Sequence, residues 1–221
     1  MRDPLGLNER LFAKVYPIVV GWSENAGQRE TRRRLLAEAR GRTLEIGAGN
    51  GYNVPHYTTA VTELVITEPS PHMLAALADQ LADEPPAVKR WEMLPADALR
   101  LPFQDASFDT VVAGFVHCTI PDPSAALREI ARVLRPDGEY LFLEHVRARD
   151  GSWLGRLQDA VEVPHRYLAA GCYPNRRTAE LLDASPLEVV RIEHGRMPRS
   201  SPTVRPVIHG IARRRSGPYD G

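Results

Sequence analysis

The chain has few cysteines, almost no lysine and no long apolar run. Its 221 residues include two cysteines, Cys118 and Cys172, and two lysines, Lys14 and Lys89. Two cysteines cannot build a disulfide framework, and no cluster has metal-ligand spacing, so we expect a reducing compartment and no metal. The longest early apolar run, residues 16–22, is too short to cross a bilayer and lacks a signal-peptide layout. These absences predict a cytoplasmic protein without stable membrane insertion.

The charge balance is neutral. The chain has 28 basic and 28 acidic residues, so bulk electrostatics give no reason to expect a nucleic-acid partner. Its 43% hydrophobic and 25% charged residues are ordinary for a soluble globular protein. A chain of this length favours one α/β domain. For the oligomeric state, a monomer and a homodimer are both compatible with the sequence.

Residues 42–52 (RTLEIGAGNGY) have the most distinctive pattern in the chain. A short apolar run carrying Glu45 leads into glycines at alternate positions, Gly47, Gly49 and Gly51. Glycine tolerates positive φ and has no Cβ, so this loop can turn sharply and let a ligand approach the backbone. A strand that feeds such a loop predicts a nucleotide site at the switch point of a doubly wound sheet.

Alternating strand and helix patterns predict a Rossmann-like α/β fold, with about seven strands, helices on both faces and a terminal antiparallel hairpin. We expect one domain, with a helical cap (1–40), a cofactor-binding core (41–146), an acceptor-side segment (147–186) and the hairpin (187–213). The predicted strands are 42–46, 63–67, 88–93, 108–115, 139–146, 187–194 and 207–213. The predicted helices are 3–15, 25–39, one starting near 53–57, 71–82, 123–134 (stopped by RPDG, 135–138), 154–163 and 177–184.

Two nucleotide-binding interpretations compete. A dinucleotide loop has the spacing Gly-x-Gly-x-x-Gly, but Tyr52 stands where its third glycine would fall. Glu68, at the predicted end of the second strand, could bind ribose hydroxyls in either case. Glu45, just before the loop, can meet a cationic ligand, and a hairpin replaces a second βαβαβ half. These two features favour a cationic nucleoside over a nicotinamide dinucleotide.

At this point the sequence resembles the class I S-adenosylmethionine-dependent methyltransferases. The resemblance runs in order from LEIGAGNG through ITEPS and ADALRLPFQDASFDTVV to ALREIARVLRPDGEYLFLEHV. It implies S-adenosylmethionine as cofactor, with Gly47 and Gly49 near its methionine part and Glu68 on its ribose. It also implies adenine contacts from Asp97 and Ala98. The other cofactor-binding candidates are Glu45, Ala48, Gly51, Asn53, Pro69, Met73, Gly114 and His117.

The later run LEHVRARDGSWLGRLQDAVEVPHRYLAAGCYPNRRT resembles membrane-associated alkyl-thiol methyltransferases, as does RPVIHGIARR. The sequence lacks the hydrophobic N-terminal anchor of that family, so we do not expect stable membrane insertion. Ubiquinone and menaquinone methyltransferases are similar over the core only. The leading prediction is therefore methyl transfer to a small-molecule thiol. The alternatives are an O- or C-methyltransferase acting on a quinone-like or phenolic metabolite, and a non-catalytic S-adenosylmethionine-binding protein.

Candidate residues for the acceptor side follow the fourth and fifth strands. We expect His145 to line the site, with His117, His165 and Asp159 as further catalytic candidates; packing or turn roles are the competing interpretation of the last three. The two cysteines are expected to be packed, buried residues. Arginines 32–34 are interpreted as a solvated face rather than an anion contact. Aromatic residues that could wall an acceptor pocket or simply pack are Tyr16, Trp22, Trp153, Tyr167 and Tyr173.

Overall fold

The computed structural model describes residues 21–169 and 171–216. The predicted helix over residues 3–15 and the aromatic candidate Tyr16 lie outside the described residues. No helix within the described ranges is both long and apolar enough to cross a membrane.

One mixed sheet of seven strands organises the described chain. Its spatial order is β3-β2-β1-β4-β5-β7-β6. The first five strands are parallel, and β7 lies antiparallel between β5 and β6, which confirms the predicted α/β sheet with its terminal hairpin. The strands are β1 (Gly41–Ile46), β2 (Val61–Thr67), β3 (Trp91–Leu94), β4 (Phe108–Gly114), β5 (Leu134–His145), β6 (Leu187–Arg196) and β7 (Pro206–Arg214).

The helices begin at local capping signals. Ser70, Asp122 and Ser152 each accept a hydrogen bond from the backbone three residues on, which satisfies an amide that the first helical turn leaves without a partner. The helices are α1 (Arg29–Leu36), α2 (Pro71–Asp83), α3 (Pro123–Val133), α4 (Trp153–Leu168) and α5 (Thr178–Asp183); a π-helical turn, Glu24–Gln28, precedes α1, and 3₁₀ turns span Val54–His56 and Pro202–Val204.

Apolar side chains cover both faces of the sheet, as expected for parallel strands buried on two sides. One cluster packs α3 and α5 against β4 and β5, with Leu127, Ile130 and Phe142 fully buried. The other packs α1 and α2 against the opposite face, around Leu36 and Leu77. Because these strands are parallel, the carboxyl ends of β1, β2, β4 and β5 lie at the same edge of the sheet.

Three predicted boundaries need correction. A single 3₁₀ turn follows the glycine loop instead of a helix, because Tyr57 is already extended. Strand β5 starts at Leu134, so RPDG lies within the strand as an irregularity before regular pairing resumes at Glu139. The residue before a proline disfavours helix, which explains why α3 ends before Pro136. Helix α4 runs to Leu168, past Pro164, where the sequence predicted an end at residue 163.

Candidate functional site

The glycine loop leaves β1 with its three glycines at positive φ, 63°, 55° and 68° for Gly47, Gly49 and Gly51. A Cβ at Gly47 would lie 2.9 Å from Val116, and one at Gly51 would lie 2.6 Å from Leu77. A Cβ at Gly49 would make only ordinary contacts, with the Met73 methyl at 3.6 Å and the Gly47 carbonyl oxygen at 4.0 Å. The outer two glycines are therefore needed for packing, whereas the backbone at Gly49 leaves room for another molecule.

Glu68 ties the loop to the end of β2. Its side chain is buried and accepts hydrogen bonds from the backbone amides of Gly49, at 2.9 Å, and Ser70, at 3.0 Å. Pro69 is exposed directly after it, and Met73 packs beneath the loop from α2. The predicted ribose-binding carboxylate thus also fixes the loop conformation.

Glu45 is buried just behind the loop, in the second-last position of β1. Burial raises the pKa of its carboxyl to about 7, opposed by the neighbouring Tyr57 and Asn53 side chains and by the charge of Arg32. One oxygen, Oε2, has no hydrogen-bond partner in the described protein. A buried acceptor without a partner is costly, so this oxygen has capacity for a donor from another molecule.

Arg32 is buried at this edge, although the sequence predicted a solvated side chain for it. Its guanidinium is buried, donating to Glu24 at 2.8 Å and to the Asn53 side-chain oxygen at 2.7 Å. It lies 5.2 Å from the centre of the Phe115 ring, and its Nη1 would be 3.2 Å from a Cβ on Gly114. This places a cation at the end of β4, beside Glu45.

The expectation of a solvated arginine cluster holds for Arg33 and Arg34, which are exposed and pair with Glu30, but it is wrong for Arg32. The signal was present in the spacing. Arg32 precedes the buried Leu35 and Leu36 by three and four positions, so it shares their face of α1.

The predicted adenine contacts lie beyond β3. Asp97 is exposed, and its Oδ1 accepts from the Leu99 amide at 2.9 Å, while Ala98 is buried in the core. These residues follow β3, whose carboxyl end neighbours that of β2 and Glu68.

Near the carboxyl ends of β4 and β5, the fold brings together Cys118, His145 and Cys172. His145 Nε2 lies 3.0 Å from Cys172 Sγ, and one side-chain atom from each of the three residues lies within 4.8 Å of the others. The neighbouring Cys118 thiol, together with the nearby His145, lowers the pKa of the Cys172 thiol, whereas the presence of Cys172 and burial raise the pKa of Cys118. Both cysteines are buried as predicted, but they form a polar cluster rather than isolated packing contacts.

Glu144 fixes the backbone that carries His117 and Cys118. Its Oε1 accepts from the amides of Val116, at 2.8 Å, and His117, at 3.0 Å. The His117 ring points to Tyr140, with Nε2 2.6 Å from the phenol oxygen, and burial lowers its pKa to about 4. His117 is therefore a neutral, buried side chain whose Nε2 already has a partner.

The remaining candidate residues lie in different places. His165, on α4, lies near Cys172 and helps to lower the pKa of its thiol. Asp159 is directed to the surface, where it pairs with Arg147 and accepts from Asn175 at 3.0 Å. Trp22, Trp153 and Tyr167 are exposed. The ring of Tyr173 has the guanidinium of Arg176 at 4.2 Å from its centre.

Comparison with known proteins adds three findings. A family described as a methyltransferase domain matches residues 44–142. Human thiol S-methyltransferase TMT1B is 29% identical over 197 residues, covering 85% of this chain and 80% of that protein. Phosphatidylethanolamine N-methyltransferase of Cereibacter sphaeroides is 33% identical over 149 residues, covering 66% of this chain and 70% of that protein.

A solved structure shares the fold. The YcgJ protein of Bacillus subtilis superposes with a TM-score of 0.67 at 19% sequence identity, covering 86% of this chain and 98% of that one.

Proposed function

Because the chain belongs to the class I S-adenosylmethionine-dependent methyltransferases, we propose that it transfers a methyl group from S-adenosylmethionine to the sulfur of a small-molecule thiol. The observation that carries this proposal is the position of the Cys118–His145–Cys172 cluster. It lies at the carboxyl ends of β4 and β5, on the same sheet edge as the glycine loop. The name of the human relative supports a sulfur acceptor, whereas the bacterial relative is named for a nitrogen acceptor.

The residues at the other half of the edge fit the donor. The open backbone at Gly49 admits the methionine part, and the Arg32 guanidinium suits a carboxylate near Gly114. Glu68 would bind the ribose hydroxyls, and Asp97 with Ala98 would contact the adenine. The Glu45 oxygen that lacks a protein partner would accept from the ammonium group or compensate the sulfonium charge.

Bound S-adenosylmethionine supplies an electrophilic methyl group with a good leaving group. Since the displacement is in-line, the protein contributes chiefly by positioning the two reactants, an effect that can reach about 7–11 kcal/mol. In the proposed transfer a carbon–sulfur bond to the acceptor would form as the sulfonium carbon–sulfur bond breaks, with its electron pair staying on the departing thioether. The acceptor thiol would release its proton to solvent, and the resulting thiolate is already a strong nucleophile.

The two histidines bear on the alternatives. An oxygen or carbon acceptor benefits more from a general base than a thiol does. Nε2 of His117 is hydrogen-bonded to Tyr140 and Nε2 of His145 to Cys172, whereas Nδ1 of each ring has no hydrogen-bond partner among the described residues. A thiol acceptor, which needs little help from a base, does not depend on either histidine.

The acceptor experiment uses isotopically labelled donor with a panel of simple thiols, phenols and quinols. We expect label in the thiol products. Transfer to a phenol or quinol with none to thiols would replace the proposed acceptor, and donor binding without transfer to any of them would favour the non-catalytic alternative.

The donor experiment is calorimetry with S-adenosylmethionine and with NAD. We expect binding of the first only. Glu68→Ala should weaken donor binding by about 1–3 kcal/mol, because ribose hydroxyls and the Gly49 amide lose a partner. Glu63→Ala, on the same strand but paired with Arg42, is the control and should leave affinity unchanged. Unchanged affinity in both variants would exclude the ribose assignment.

A further inference from the structure

Three side chains that can bind a soft metal ion meet at the acceptor edge, although they come from separate parts of the chain. Cys118 follows β4, His145 ends β5, and Cys172 lies in the turn after α4. Two sulfurs and one imidazole nitrogen all lie within 4.8 Å of one another, and all three residues are buried. Thiolate and imidazole are the ligands that zinc prefers, and catalytic zinc sites use three protein ligands with one position open.

We propose that Cys118, His145 and Cys172 bind one Zn²⁺ ion, and that the sulfur of the acceptor thiol takes its remaining coordination position. The second part rests on the proposed function, whereas the first does not. The proposal departs from the sequence-based expectation of no metal, which relied on spacing along the chain.

The backbone around the cluster is already fixed, so metal binding would need little rearrangement. The Tyr173 amide donates to the Cys118 carbonyl at 2.8 Å, which joins the two cysteine-bearing segments directly. The Cys172 amide donates to the Ala169 carbonyl at 3.0 Å. Glu144 holds the amides just before Cys118. Preorganised ligands lower the conformational cost of forming a site.

The cluster is also next to the donor half of the edge. The Phe115 ring stacks on the His145 ring with centroids 6.3 Å apart, and the Arg32 guanidinium lies over the same Phe115 ring. One aromatic ring therefore separates the proposed metal ligand His145 from the cation beside Gly114. A thiol bound at the cluster would be close to the donor.

Zinc would stabilise the thiolate form of the acceptor. Coordination stabilises the thiolate over the thiol, so the acceptor binds as its anion and releases its proton to solvent. The coordinated sulfur then attacks the methyl carbon, and the sulfonium electron pair leaves with the thioether. No oxidant or reductant takes part.

The test measures zinc binding to the full-length chain, purified with reductant and treated with chelator. Titration with Zn²⁺ against a chromophoric chelator, checked by elemental analysis, should give one ion per chain. Cys118→Ser, Cys172→Ser and His145→Ala should each weaken binding by at least about 100-fold, the upper range for losing even an outer-sphere partner. His194→Gln removes an exposed histidine outside the cluster and should bind normally.

A second measurement does not depend on whether the variants fold. In the unmodified chain, stoichiometric Zn²⁺ should slow the reaction of both cysteines with a thiol reagent, and Co²⁺ should give a sulfur-to-cobalt charge-transfer band. Absence of stoichiometric binding together with unprotected cysteines would overturn the site. A disulfide between Cys118 and Cys172 in the reduced preparation would do the same.

His165 distinguishes an open site from a closed one. His165→Gln should keep the bound ion; loss of zinc in this variant would make His165 the fourth ligand and overturn the acceptor position. Full thiol methylation by zinc-free protein would defeat the metal role while leaving the proposed function standing. Zinc bound without any thiol methylation would defeat the proposed function while leaving the metal site standing.

Discussion

The two halves of the sheet edge are built differently. The donor half is organised around one short loop, in which Gly49 leaves its backbone open and the carboxylate of Glu68, from the end of the next strand, holds the loop in place. The acceptor half is assembled from side chains at positions 118, 145 and 172, far apart in sequence. Backbone recognition of a common cofactor needs few residue types at fixed spacing, whereas a site made from distant side chains depends on the whole fold.

A buried glutamate occupies the second-last position of the strand in each half. Glu45 in β1 and Glu144 in β5 are both fully enclosed, and burial raises the pKa of each to about 7. One oxygen of Glu144 accepts hydrogen bonds from two backbone amides, whereas the carboxyl of Glu45 faces other side chains, including that of Arg32. The same residue type thus fixes a backbone in one half and balances charge in the other.

The largest expected effect concerns the buried cation of the donor half. Arg32→Leu leaves Glu24 buried without its partner, so we expect the free energy of unfolding to fall by about 3–5 kcal/mol in denaturant titrations. Arg33→Leu, one position along and exposed, should leave the free energy of unfolding nearly unchanged. Equal, small losses in both variants would contradict the distinction between the two arginines.

The next effect tests the backbone anchor of the acceptor half. Glu144→Ala removes the acceptor of two buried amides and should cost about 2–4 kcal/mol of unfolding free energy. Glu144→Gln keeps an oxygen for both amides and should cost less than about 1 kcal/mol. If glutamine were as damaging as alanine, the charge rather than the hydrogen bonds of Glu144 would be the important property.

The third prediction is a pH dependence from Glu45. Its folded pKa, about 7, exceeds the ordinary value of 4.5, so the folded state keeps a proton that the unfolded state has lost between those values. Its contribution to stability is therefore full below pH 4.5 and declines as the pH rises to about 7. Relative to the parent chain, Glu45→Gln should gain about 1–3 kcal/mol across this window. A difference that does not vary with pH would contradict the raised pKa.

The smallest effect is expected at Asp159. Its carboxylate is exposed and pairs with Arg147, so Asp159→Asn should leave the unfolding free energy nearly unchanged, because solvent screens an exposed ion pair. Methyl transfer to a thiol should keep its rate, measured with labelled donor at saturating concentrations. A large fall in turnover without a fall in stability would return Asp159 to the catalytic candidates.

Much of the fold could be predicted because local patterns and tertiary packing agree. Apolar runs such as residues 108–115, and periodic helices such as α3, satisfy the same burial requirement in the sequence and in the sheet. The errors lie where context overrides the local signal. RPDG interrupts the helical pattern, but pairing with β4 extends β5 through it. In the arginine cluster, Arg32 is buried while Arg33 and Arg34 are exposed, because one face of α1 packs against the sheet.

The sequence by itself determined the sheet class, the glycine loop and the carboxylate at the end of β2, because these depend on residue types at short, fixed spacings. Tertiary structure alone decided that Arg32 lies beside Gly114 and that Cys118, His145 and Cys172 share one cluster. The reason is geometric. Parallel strands bring their carboxyl ends to a common edge, and the crossings between them place residues distant in sequence within bonding distance.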